Sequence, residues 1–317
     1  MERALELEKT GQLSEAWTVL EQVSPDYLNA QKLRSRIRYR QGDIAAARAE
    51  AVKYAELLAR SLKHAPLTEL FDECLRQAIA DNKEPELSQR LWPRLNLPAS
   101  SKSDWLVRLR WGLRINKRLG HWILANRDRL DELDDVVDPP DWSPLDTAKA
   151  EGKPVVVAGA HLGPATLALH YLYQIDHPLV MLVGNLYYSL ITGSRPFLLA
   201  DQIHNILELR DTLSELGTVY LVADGPMGRS SFPATFLGSP THLREGAATL
   251  ARISQAQTFW YSARWMGRRI KLDLIPGPTA SPHESRVDWN TCWFSFYLAQ
   301  FEASILAGPE NIRRLYL

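Results

Sequence analysis

The sequence predicts an α/β protein in which an all-helical part precedes an α/β domain. Two observations carry this. Residues 1 to about 135 read as helix after helix, with almost no strand-like run. Beyond Asp138-Pro-Pro-Asp-Trp-Ser-Pro144, whose prolines restrict themselves and their predecessors to non-helical backbone, short apolar runs alternate with helical stretches. The expected division is a helical part over 1–100, basic amphipathic helix and linker over 101–140, and the α/β domain over 141–317. A length of 317 residues has room for that, since a domain commonly takes about 100–200.

Composition excludes several classes. A 45% hydrophobic and 23% charged chain argues against disorder and low complexity. Basic and acidic residues balance at 37 each, which disfavours a nucleic-acid binder working by whole-chain charge. Cys74 and Cys292 stand far apart, so neither a disulfide framework nor a thiolate zinc site is suggested. The first residues, MERALELEKTGQLSEAW, carry charge and no apolar run, and no stretch reaches the roughly 18 apolar residues of a membrane span. A cytoplasmic location is expected, at most peripheral to the inner membrane.

In chain order, Gly11-Gln-Leu-Ser-Glu-Ala16 recurs as Gly42-Asp-Ile-Ala-Ala-Ala47, at an offset of 31 residues. This resembles tetratricopeptide repeats, whose period is about 34. Barely two units are present where about three make a free-standing stack, so an irregular helical bundle is the alternative. From Ser103 to Leu133, Trp105, Trp111 and Trp122 mix with Arg108, Arg110, Arg114, Lys117 and Arg118. At 100° per residue, Trp105, Leu106, Leu109 and Leu113 share one side, with Arg110, Arg114, Lys117 and Arg118 on the next. Such a basic helix, over 103–118, suits an anionic membrane surface or an acidic carrier protein. The alternative is a helix packed on the core with solvated arginines.

The α/β part opens on Val155-Val-Val-Ala-Gly-Ala160, and similar runs begin at Leu179, Thr218, Thr258 and Arg269. Continuous apolar runs of this length fit strands buried on both faces. The first run leads into His161-Leu-Gly-Pro-Ala-Thr166. A strand that delivers a histidine to the mouth of a helix sets an imidazole at the carboxyl edge of the sheet, where open α/β folds bind ligands. With an ordinary pKa near 6.5, that imidazole can take a proton from an alcohol or amine.

Other motifs are weaker. Gly225-Pro-Met-Gly228 lacks the spacing of a phosphate loop. His170, His177 and His204 show no metal-ligand spacing, and no G-x-S-x-G elbow occurs. No metal is expected.

From His161 onward the chain resembles the bacterial lipid A biosynthesis (lauroyl/myristoyl) acyltransferases and their mycobacterial phosphatidylinositol mannoside relatives, within the lysophospholipid acyltransferase superfamily. Their hallmark is H-x-x-x-x-D/E, which here reads His161 to Thr166. The similarity continues in order through Asn185, Arg195, the run from Gly217 through Asp224 to Arg229, Phe236-Leu-Gly-Ser-Pro240, Leu243-Arg-Glu-Gly246, and Pro309-Glu-Asn-Ile-Arg313. It implies an acyltransferase-like α/β domain with a central mixed sheet flanked by helices. It also implies that His161 is the general base that helps an acceptor hydroxyl or amine attack an acyl, or aminoacyl, thioester on a carrier protein or coenzyme A. Arg195 corresponds to a phosphate-binding arginine, and the loop with Phe236 and Gly238 to one that binds acceptor and lines the acyl groove. Asn185, Arg229 and Glu245 join the substrate-binding set by the same correspondence. No cofactor is implied beyond the acyl-carrier or acyl-coenzyme A donor, and an acyl or peptidyl carrier protein is the implied partner.

The sequence departs from the pattern at Thr166, which carries no charge to balance an imidazolium. Three readings stay open. Asp224, at the end of its own strand, replaces the acid; the acceptor is a better nucleophile, such as an amine; or the chain is a catalytically degenerate relative that binds lipid or carrier and recruits partners through its helices.

Overall fold

The computed structural model describes residues 1–62, 66–183, 197–199, 205–225 and 230–313. It opens with helix pairs, α1 (Glu2–Lys9) with α2 (Leu13–Glu21) and α3 (Leu28–Arg40) with α4 (Ile44–Leu62). The 31-residue recurrence marks equivalent turns. Gly11 and Gly42 take φ of +82° and +83°, the left-handed backbone that ends a helix most easily at glycine. Their closing bonds correspond too, Gln12 N–H to the Leu7 carbonyl at 2.9 Å and Asp43 N–H to that of Arg38 at 3.0 Å. Next come α5 (Leu67–Ala80), α6 (Glu86–Leu91) and the long α7 (Lys102–Ala125).

Helix α7 packs against α4, α5 and later elements. Trp105, Leu109, Trp111, Ile115, Leu119 and Trp122 are all buried. The arginines of 103–118 meet partners inside the chain: Arg108 gives two bonds to Glu310 (3.0 and 2.7 Å), Arg110 donates to the Ala78 carbonyl (3.0 Å), and Arg114 pairs with Asp81. Arg118 pairs with Glu73 at 2.7 Å. These four arginines are thus taken up within the chain, as in the packed-helix alternative, while Lys117 stays exposed.

The central sheet is seven-stranded, in the order β1-β9-β8-β2-β5-β3-β4. Its strands are β1 (Val137–Asp138), β2 (Val155–Gly159), β3 (Leu179–Val183), β4 (Phe197–Leu199), β5 (Thr218–Val222), β8 (Gln257–Met266) and β9 (Arg269–Thr279). All neighbours are parallel except β8 and β9, so the sheet is mixed. The helices among them are α8 (Ser143–Ala150), α9 (Ala165–Tyr173), α10 (Asn205–Ser214), α11 (Gly246–Ile253) and α12 (Arg286–Ala307). A separate hairpin, β6 (Ser231–Phe236) with β7 (Ser239–Arg244), turns through Leu237 and Gly238. Both turn residues have positive φ, 45° and 71°, as a two-residue hairpin matching strand twist requires.

Alternation along the strands builds two cores. Val155, Val157, Tyr220 and Tyr261 face one cluster, while Val156, Ala158, Val219, Leu221 and Trp260 face the other. The first cluster also holds Tyr39, Tyr54, Phe71, Trp111 and Trp122. Helices α3 to α7 therefore share a core with the sheet, and β1, which precedes the proline break, is one of its strands. The boundaries at 100 and 140 do not separate independent cores. A third, small cluster lies within α1–α3. Among the described residues no helix is long and apolar enough to cross a membrane.

Candidate active site

Parallel pairing of β2 with β5 aligns Gly159 with Val222, so the residues that follow each strand emerge side by side. The Ala223 N–H donates to the Gly159 carbonyl (3.1 Å), which extends the pairing past the strand ends. Two residues further along each chain stand His161 and Asp224. Asp224 is 1% exposed. Its carboxylate accepts the His161 backbone N–H at 3.0 and 3.2 Å, and Oδ1 also takes the ring Nδ1 at 3.0 Å.

This double grip orients the imidazole. A carboxylate accepts, so Nδ1 donates to it, and in a neutral ring the lone pair is then on Nε2. The His161 side chain is 32% exposed, while that of Asp224 is sealed. Gly225 borders the ring: a Cβ there would lie 3.9 Å from His161 Cε1. An oriented, accessible imidazole backed by a buried carboxylate is the arrangement that removes a proton from a nucleophile in acyl transfer.

The loop after His161 is held from behind by residues 309–312. Leu162 pairs antiparallel with Ile312, and Gly163 N–H donates to the Asn311 carbonyl at 2.6 Å. Gly163, at φ +46°, passes so close that a Cβ would lie 2.1 Å from the Ala263 carbonyl oxygen. The 309–311 turn is fixed in turn. Asn116 donates to the Glu310 carbonyl (3.0 Å) and accepts from Trp265 Nε1 (2.7 Å), while Asn311 Oδ1 accepts the Trp265 N–H at 2.6 Å. Beneath the strand ends, Tyr297 donates its hydroxyl to the Gly159 carbonyl at 2.9 Å. Burial first, then the Asp224 charge, holds its pKa well above the ordinary tyrosine value.

The other expected site residues lie apart from this pair or outside the description. Thr166, on the first turn of α9, is buried against Gly120 of α7, whose Cβ would meet its Oγ1 at 2.9 Å. Asn185, Arg195 and Arg229 lie outside the described residues, as does His204. Phe236 is 1% exposed and packs on Phe301 with ring centres 5.3 Å apart, so it is a core residue of the hairpin rather than a groove lining. Gly238 forms the hairpin tip, with open space around it. Glu245 is buried where α11 begins, and one of its oxygens receives Arg286 (3.0 and 2.6 Å) and Asn290 (2.9 Å). These bonds join α12 to α11 and account for its carboxylate without a substrate.

Sequence reasoning missed Tyr297, Asn116 and Asn311 as supports of the site. Only Asn311 had a signal, lying in the Pro309–Arg313 segment that resembles the family. No protein-family model matches the chain, and no curated protein is significantly similar to it.

Proposed function

We propose that the protein is an acyltransferase that moves an acyl or aminoacyl group from a carrier-bound or coenzyme A thioester to a hydroxyl or amine. His161 Nε2 removes the acceptor proton as the acceptor attacks the thioester carbonyl. The carbon–sulfur bond then breaks, and the imidazolium returns its proton to the departing thiolate. Asp224 holds the tautomer throughout and balances the imidazolium charge, the part the family gives to the acid five residues after the histidine. The observation that carries this reading is the His161–Asp224 pair, with its 3.0 Å contact at Nδ1 and a histidine side chain that is 32% exposed. In this reading Thr166 is a packing residue, and the missing acid is supplied from the neighbouring strand.

The test is thiol release from acyl-carrier and acyl-coenzyme A thioesters offered with hydroxyl and amine acceptors, wild type against His161→Ala. Release that needs His161 is the expected result. Equal release from the two proteins would overturn the role of His161. Wild type that binds carrier yet releases no thiol would favour the degenerate binding protein instead.

A further inference from the structure

One cluster of charge lies outside the proposed acid-base pair and beside it. Helix α7 carries Lys117 and His121 one turn apart on one face. Asn116, next to Lys117, bonds to the Glu310 carbonyl (3.0 Å), and the antiparallel bridge of Leu162 with Ile312 puts Arg313 opposite His161, so residues 310–313 run along this part of α7, where the Arg313 charge acts on His121. Lys32, on α3, adds a positive charge that acts on the same imidazole. Lys117 is exposed, while Lys32, His121 and Arg313 are half-buried.

The charges acting most on His121 are all cationic: Lys117, Lys32, Arg313 and Arg118. Burial first, and these cations after it, push its pKa down to about 4. Arg118 is balanced by Glu73, but neither Lys117 nor Arg313 pairs with any acid among the described residues. Gathering like charges around a half-buried imidazole opposes folding, and an anion seated among them removes that penalty.

We propose that Lys117, His121 and Arg313, with Lys32 beside them, form a binding site for a phosphate ester on the flank of the His161 loop. A phosphate suits this set better than a carboxylate. Its terminal oxygens can take the arginine fork, a lysine and an imidazole N–H together, each bond strengthened by charge. That this phosphate belongs to a substrate of the adjacent imidazole rests on the acyltransferase reading; the binding itself does not.

The test is calorimetric titration of the full chain with inorganic phosphate, adenosine 3′,5′-bisphosphate and glycerol 3-phosphate, at low and at physiological salt. At least one phosphate should bind the wild type and weaken about tenfold for each charged contact removed in Lys117→Gln/Arg313→Gln, while exposed Arg210→Gln changes nothing. The same ligand should shift the His121 ring resonances of the wild type, a readout that needs no variant to fold. Tighter binding of the bisphosphate would mark a coenzyme A donor, and tighter binding of glycerol 3-phosphate a phospholipid-like acceptor; either supports the site. No binding by any of the three, or binding unchanged in the double variant, overturns it. His161→Ala should bind phosphate as the wild type does, so loss of the reaction and loss of the site are read separately.

Discussion

Around α1–α3 the buried apolar residues are few and half of them are alanine: Ala4, Ala16 and Ala30 with Leu20, Leu33 and Ile37. Behind the sheet, Trp260, Trp293, Tyr297 and Phe301 pack ring against ring, with neighbouring centres 5.1 to 6.4 Å apart. Polar contacts differ in the same sense. In the first region Arg34 caps the Leu20 and Val23 carbonyls at 2.6 and 2.8 Å, and Glu8 is held by Arg36 and Arg40, the widest of these contacts spanning 32 residues of chain. In the second, Asp224 and Glu310 are bonded across 63 and 202 residues of chain. The first region depends on neighbours in sequence and can open alone. The second depends on the whole fold, and the site is in it.

The sharpest way to break this contrast is at the site. Asp224→Asn should keep the fold, by near-ultraviolet circular dichroism, and lower thioester turnover by about four orders of magnitude, as expected when an orienting carboxylate is lost. Next come paired truncations. Trp293→Ala should cost about 3–5 kcal/mol of global stability in urea unfolding, because its ring stacks on Tyr297. Leu20→Ala, though it removes a fully buried side chain, should instead raise hydrogen exchange in α1–α3 with turnover unchanged. A fall in turnover would show that the two regions are coupled.

Gly163→Ala should cost about 2–4 kcal/mol and also abolish turnover, since it adds a clash with the Ala263 carbonyl to a left-handed backbone. The smallest effect is a pH dependence. The folded state resists protonating His121, with its pKa pushed down to about 4, while the unfolded chain takes that proton near 6.5. Stability should therefore fall as pH drops from about 6.5 toward 4, and His121→Gln should flatten that slope in urea titrations at successive pH values.

Much of the sheet was legible because β2, β3, β5 and most of β8 are continuous apolar or β-branched runs, while β9 opens with alternating apolar and charged residues. Strands β1 and β4 span two and three residues, too short to show a period. Hairpin β6–β7 was hidden by Pro233 and Pro240 and by its Ser and Thr residues, which a two-stranded ribbon outside the main sheet tolerates. At the site, His161 and Asp224 could be matched because both follow buried strands, and parallel neighbours bring such ends together. The partners of Arg108, Arg114, Arg118 and Glu245 could not, since each depends on how helices cross, which hydrophobic period does not encode. A basic stripe looks the same in sequence whether it faces solvent or a neighbouring helix with carboxylates.

The turn at Pro309–Asn311 lies behind the His161 loop, bound to α7, to β8 and to Gly163. During synthesis it leaves the ribosome about 150 residues after His161, when the sheet has already emerged. A nascent chain stopped at α12 would hold the histidine and its aspartate yet lack the wedge that keeps their loop in place. The braced form of the loop is thus delayed until the chain has been made past Asn311.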